Sequence, residues 1–314
     1  MPTVSVQELL SGTYYGRRQS VGNMEVIPIL GEDDENYSPP ELRVSTNNYG
    51  SVQARNVTDR PTIVPPGSGW IVDAKVQDHA IGSGALVPAK STAFIKAYCI
   101  QETQPGLIEA GQEKTFVVLP LPLRVRALAS RNRGSYSDLW SPISRYRKAS
   151  GTSGRGNLVE YLEEFSTDLD RFVAHFECVS KQIGAIVMIN HKFAGVELTP
   201  STAFWSVLWE PLIRVCYGSY ALVLQDKASV KKRPSIRKAK TVWEVISAFS
   251  DVQTQWALET KTLVKGLCAG KVQTADQQEH GLYTVASSVC AGQFLRDENA
   301  SRTPYMSLVS NVEV

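Results

Sequence analysis

The chain has 314 residues, of which 43% are hydrophobic and 20% charged, and its formal net charge is only +2. That balance excludes a chain disordered throughout, and 22 glycines without a fixed period exclude a collagen-like one. The cysteines Cys99, Cys178, Cys216, Cys268 and Cys290 are odd in number, widely spaced and never Cys-x-x-Cys, which excludes a disulfide framework and fits a reduced, cytoplasmic setting.

The opening Met-Pro-Thr-Val-Ser-Val lacks the basic and apolar regions of a secretory signal. The longest apolar run, Val215 to Leu224, is about half of the ~20 residues that a membrane helix needs, so no membrane association is expected. Residues 1–16 read as a short helix with Val6, Leu9 and Leu10 on one face, closing near Gly12. Met24 to Leu30 reads as a strand, and Pro28 assigns it to a sheet edge. The acidic run Gly31-Glu32-Asp33-Asp34-Glu35 reads as a solvated loop.

From Glu41 to Leu123 short apolar segments recur between Gly, Pro, Asn and Asp: Thr62–Val64, Trp70–Val72, Gly84–Val87, Ala93–Cys99 and Thr115–Leu119. This spacing predicts a β-rich unit of hairpins, a sandwich or a partly open barrel. In residues 124–156, Arg124, Arg126, Arg131, Arg133, Arg145, Arg147 and Lys148 are scattered among Ser, Gly and Tyr, a composition that predicts a flexible connection or binding arm.

Leu158, Leu162, Phe165, Leu169, Phe172, Phe176 and Val179 step by four and three residues, which predicts one amphipathic helix of about six turns, capped by Asn157. Ile183–Ile189 and Phe193–Leu198 flank Asn190-His191 as a hairpin, and the unbroken apolar run of its first strand implies burial on both faces. Thr199 as cap and Pro200 in the first turn open a second helix, which Pro211 must kink or restart. A basic stretch, Gln225–Lys240, precedes a further helix at about 241–258, and strands follow from Leu282 to Leu308. The chain therefore reads as α+β: a β-rich half over 1–123, the basic Ser/Gly-rich linker over 124–156, and an α/β half over 157–314, with a hairpin packed by two or three helices.

Several fragments, in order, carry a family resemblance: Val21-Gly-Asn-Met-Glu-Val-Ile-Pro-Ile-Leu-Gly31, Asn56-Val-Thr-Asp-Arg-Pro61, Ala85-Leu-Val-Pro-Ala89, Cys99-Ile100, Ala185-Ile-Val-Met-Ile-Asn190, Gly195-Val-Glu-Leu198 and Leu208-Trp209-x-x-Leu212-x-Arg214. Together they resemble the ADP-ribosylglycohydrolase- and rhodanese-phosphatase-associated protein domain, a bacterial and phage family of unestablished activity. The departures fall on polar positions. Where the family has Gly-Ala-Lys followed by Gln-Asn-Arg, this chain has Asp73-Ala-Lys-Val-Gln-Asp-His79, and the Asn-Gly hairpin turn becomes Asn190-His191. The resemblance implies a retained scaffold with altered reactive positions, hence a non-enzymatic binding or assembly module in a bacterial or phage conflict setting, working with a protein partner or with copies of itself.

Two further readings rest on side chains. An enzyme acting on a nucleotide- or ADP-ribose-derived substrate would use Asp78, His79 and Glu102, since a His beside carboxylates is what general acid–base work requires, with Gln77 and Cys99 as ligand contacts. A nucleic-acid or polyanion binder would use Arg145, Arg147 and Lys148, beside Tyr136, Trp140 and Tyr146, together with Lys231, Lys232, Arg233, Arg237 and Lys238. No metal is expected, because no Cys or His pair has ligand spacing, and no cofactor is expected, because neither a Walker loop nor a dinucleotide fingerprint occurs.

Overall fold

A computed structural model describes residues 3–72, 76–102, 104–225, 271–277, 281–287 and 289–312. The helix expected at 241–258 and the basic residues Lys231, Lys232, Arg233, Arg237 and Lys238 lie outside them. The N-terminal segment forms β1 (Thr3–Ser5), α1 (Val6–Leu9), β2 (Tyr14–Tyr15), β3 (Gln19–Val21) and β4 (Met24–Leu30). Then come β5 (Leu42–Asn48), β6 (Ser51–Asn56), β7 (Thr62–Val64), β8 (Ser68–Ile71), β9 (His79–Ile81), β10 (Ala85–Val87), β11 (Thr92–Cys99) and β12 (Thr115–Val118). Four helices follow: α2 (Leu121–Ala129), α3 (Trp140–Ala149), α4 (Leu158–Glu164) and α5 (Ser166–Val173). The hairpin β13 (Gln182–Ile189) and β14 (Lys192–Leu198) leads into α6 (Thr202–Glu210), a π-helical stretch over Pro211–Gly218, and α7 (Ser219–Gln225). The chain closes with β15 (Lys271–Gln277), β16 (Leu282–Ala286), β17 (Cys290–Leu295) and β18 (Tyr305–Ser310).

The fold is α+β with a β-rich N-terminal half that curls as a half-barrel. Among the described residues, one antiparallel sheet runs in the order β1-β15-β16-β17-β18-β14-β13-β4-β2, with β3 also on β4, and a second runs β12-β8-β9-β11-β6-β5. Strands from both ends of the chain thus share the larger sheet, and its pairing crosses the division expected at 124–156. The apolar run of β13 is buried on both faces, as its composition demands. On one side Ala185, Val187 and Ile189 meet Phe204, Trp205 and Leu208 of α6; on the other, Ile183 and Ile186 join Val6, Leu9 and Leu10 around α1. The helical run Thr202–Gln225 has the length and mean hydropathy, 1.2, of a membrane span, but half of it is buried in this core.

The hairpin turn forms with Asn190 at φ 52° and His191 at φ 61°. Two consecutive positive φ values make the tight turn whose twist suits an antiparallel pair.

Four expectations are corrected. Pro28 is not on an edge strand: β4 lies between β13 and the β2/β3 side, with Pro28 opposite Ala185. Its carbonyl accepts from Gly16 N at 2.8 Å, so its missing N–H faces the break between β3 and β2 rather than β13. Residues 124–156 are not a loose linker. Leu123, Ala127, Leu139, Ile143 and Tyr146 recur at helical spacing between the basic residues, and α2 and α3 bury that face against β8, β9, β11 and α4. The six-turn helix is broken at Phe165, which closes α4 and precedes α5, because Ser166, Thr167 and Asp168 favour a helix start over a helix interior. Finally, Ser201 and not Thr199 caps α6, accepting from Phe204 N at 3.1 Å, while the Thr199 hydroxyl donates to Ile183 O at 2.8 Å. Pro211 restarts the helix in π geometry, which accommodates its ring and absent donor.

Candidate functional site

The sequence candidates of the β-rich half gather where the loop before β9 meets the end of β11. Asp78 and His79 are consecutive in extended backbone, so their side chains point to opposite sides. Asp78 Oδ1 accepts from Val72 N at 2.8 Å, and with the Gln101 amide nitrogen turned toward its acceptors, that nitrogen reaches Asp78 Oδ2 at 3.1 Å and Val76 O at 2.9 Å. Burial raises the Asp78 carboxyl to about 7, and the Val72 N–H only partly offsets this.

His79 pairs in register with Cys99 across β9 and β11. Its Nδ1 lies 2.7 Å from Gln77 O. A carbonyl can only accept, so Nδ1 carries the proton and Nε2 is left as an acceptor, 3.5 Å from Cys99 Sγ. The Cys99 thiol donates to Gln77 Oε1 at 2.7 Å. Burial pushes this thiol up to about 12 and lowers the imidazole, so both groups rest in their neutral forms. The ring of Tyr49 stacks on His79 at 6.4 Å, and Tyr136 tilts against Tyr49 at 5.5 Å. The structure thus brings Gln77, His79 and Cys99 together, with Asp78 turned away from them.

Glu102 does not join them. Its Oε2 accepts from Gly156 N at 2.9 Å and its own N–H donates to Gly156 O at 3.0 Å, which ties the end of β11 to the lead-in of α4. Of the basic candidates, Arg147 is buried and held by Glu160, Glu164 and the Ser153 carbonyl, so it is not offered to a polyanion. Arg145 and Lys148 are exposed, while Tyr146 is buried.

A second polar centre was not singled out in the sequence. Arg124 of α2 is 1% exposed and aims its guanidinium at Glu197 of β14, with Nη1–Oε1 at 2.5 Å, Nη2–Ser307 Oγ at 2.7 Å and Nε–Pro66 O at 2.8 Å. The Tyr217 hydroxyl donates to the same Glu197 oxygen at 2.6 Å. The signal was in the spacing: Arg124 falls three residues after Leu121 and four before Leu128, on the buried face of α2.

An open cleft of about 550 Å³ lies between the acidic loop, the turn after β6 and the start of α6, lined by Asp33, Tyr37, Ser38, Thr58, Arg60 and Ala203 among others. Asn56 builds the turn: fully buried, it accepts from Thr58 N at 2.9 Å and donates to the carbonyls of Arg60, Val87 and Pro88. Arg60 in turn reaches the Glu35 carbonyl. On the acidic loop, Asp33 accepts from Thr202 N at 2.8 Å at the head of α6, and Tyr37 donates to Asp297 at 2.7 Å. The turn that displays Thr58, Asp59 and Arg60 on this cleft is the Asn56–Pro61 fragment of the family resemblance.

A family model described as the ARG and Rhodanese-Phosphatase-superfamily-associated Protein domain, ARPP-1, matches residues 12–283. The chain belongs to this family. The ARPP-1 match takes in the cleft turn, the Gln77–His79–Cys99 contact and the Arg124–Glu197 pair, whereas β17 and β18 lie beyond it. No curated protein and no solved structure matches the chain.

Proposed function

We propose that the chain is a non-enzymatic binding or assembly module. The observation that carries this reading is how its acid–base side chains are used. Asp78 is spent on Val72 N–H and Gln101, Glu102 on Gly156 N–H, and His79 on the Gln77 carbonyl, each fixing a segment of backbone. A general acid or base has to reach the proton it moves, and a nucleophile needs its anionic form within reach; Cys99 and His79 are fully buried and neutral. The cleft supports the binding half of the reading, because its volume falls in the range of about 300–1,000 Å³ that ligand sites occupy. Its hydroxyls, carboxylates and Arg60 suit a polar ligand or a protein segment.

The test is turnover. NAD, ADP-ribose and an ADP-ribosylated peptide are incubated with the native chain and with His79→Ala, and the products are separated by chromatography. The proposal expects all three to remain intact with both proteins. Conversion by the native chain that His79→Ala abolishes would overturn it. Light scattering addresses assembly: a mass above that of one chain, returning to it with Ala203→Arg, is the result expected if copies meet through the cleft.

A further inference from the structure

The outward face of β5, β6 and β11 breaks two rules that a merely solvated sheet surface keeps. Phe94, on β11, is 69% exposed, a large aromatic ring on the outward face while Ile95 on the opposite face is buried in the core. Arg43 of β5 stands directly opposite Arg55 of β6 in the register. Like charges directly opposite destabilise a sheet, and among the described residues neither arginine has an ion pair or side-chain hydrogen bond that would offset this. A charged edge strand discourages edge-to-edge aggregation, which would account for Arg43 on β5. It accounts for neither Arg55, on an inner strand, nor Phe94.

The register sets the geometry. Phe94 faces Gln53, and Arg55, which faces Thr92, is therefore its diagonal neighbour. Diagonal neighbours stand about 7–8 Å apart, within the span of long side chains. Lys96 follows two residues after Phe94 on the same face and lies over the Tyr98 ring at 5.7 Å. At the rim, Arg126 and Arg131 act electrostatically on the Tyr98 hydroxyl, with Asp138 opposing them. No outward position of the three strands carries a carboxylate.

We propose that this face binds single-stranded nucleic acid, with Phe94 stacking an unpaired base, Gln53 facing its edge, and Arg43, Arg55 and Lys96 on the phosphates. An exposed ring at the centre of a sheet, surrounded by cations, is the arrangement that holds a strand through base faces and backbone charge. A duplex keeps its base faces stacked away, so the ring selects the single strand. The face uses residues other than those lining the cleft, so this inference and the cleft reading fail independently.

The experiment is fluorescence anisotropy of labelled 20-nucleotide oligothymidylate and oligouridylate, titrated with the full chain between 50 and 300 mM salt. Binding is expected, stronger than to a duplex of equal length, and weakening as salt rises. Phe94→Ala should weaken it on the order of tenfold with the salt slope unchanged, and Phe94→Trp should keep it. Arg43→Ala and Arg55→Ala should each lower the salt slope by about 0.7. All three positions are on the surface, and far-ultraviolet circular dichroism checks that the variants fold. No binding at 50 mM salt would overturn the proposal, as would binding indifferent to Phe94, Arg43 and Arg55. Equal competition by polyglutamate would reassign the face to an acidic protein segment, and a concentration-dependent mass increase lost in Phe94→Ala would reassign it to a second copy; either result overturns it too.

Discussion

Arg124 and Glu197 meet at 2.5 Å with side chains only 1% and 3% exposed, the guanidinium coming from α2 and the carboxylate from the middle of the larger sheet. Burial opposes the charge on Arg124, but the carboxylate beside it more than compensates and holds its pKa well above the usual value. The pair is completed by Ser307 on β18, Tyr217 on the π-helical stretch and the Pro66 carbonyl before β8. One ion pair therefore fastens the β-rich half, the sheet and the core helix to each other.

Removing one member strands the other charge out of water. Arg124→Met should destabilise the protein by about 3–5 kcal/mol in urea unfolding. The double variant Arg124→Met/Glu197→Leu should lose much less than the sum of the two single changes, because it leaves no uncompensated charge. A single-variant loss below about 1 kcal/mol would show that water reaches the pair.

Gly195 exists for this same centre. A Cβ there would lie 2.1 Å from the Tyr217 hydroxyl oxygen, and the hydrogen bond to Glu197 prevents that oxygen from moving aside. Gly195→Ala should cost about 1–3 kcal/mol through overpacking. Tyr217→Phe deletes the obstructing atom, so the two substitutions should couple in a double-mutant cycle with a combined loss smaller than their sum. Strict additivity would mean that the clash is relieved by a backbone shift instead.

Asp78 gives stability a pH dependence of predictable sign. Its folded pKa, about 7, lies above its ordinary value of 3.8 because burial disfavours the anion. The protonated form thus contributes fully below about pH 4, and the contribution is lost as pH rises through 7. Between pH 4 and 8 the native chain should lose on the order of 4 kcal/mol through this group relative to Asp78→Asn, which cannot ionise. Equal pH profiles for the two proteins, measured by thermal unfolding, would contradict the assignment.

What the sequence revealed followed from local pattern. The short apolar segment Ala93–Cys99 between turn residues, the unbroken run Ile183–Ile189 and the Asn190-His191 turn predict β11, β13 and their partners, because apolar run length and turn chemistry are local properties. Composition misled where helical spacing was hidden: Leu139, Ile143 and Tyr146 are interleaved with Ser and Arg, so α3 read as linker. At the candidate site, Gln77, Asp78, His79 and Cys99 were legible as a polar group, and their contacts were not. Pairing of Cys99 with His79 depends on the register between β9 and β11, which no local pattern encodes. For the same reason the sequence places Glu102 beside His79, whereas in the fold it binds Gly156. Arg124 and Glu197 are 73 residues apart and meet only through the tertiary fold.

The reactivity of Cys99 is the most direct test, since it asks whether the thiol–imidazole contact is scaffold or chemistry. The native chain is alkylated with iodoacetamide from pH 6 to 9, and each cysteine is followed by mass spectrometry, with exposed Cys178 as the internal reference. With its thiol buried and pushed up to about 12, Cys99 should react far more slowly than Cys178 at every pH and become labelled only when the protein unfolds. Labelling of Cys99 faster than Cys178, with a midpoint near neutral pH that His79→Ala removes, would reveal an activated nucleophile and contradict the binding-module account.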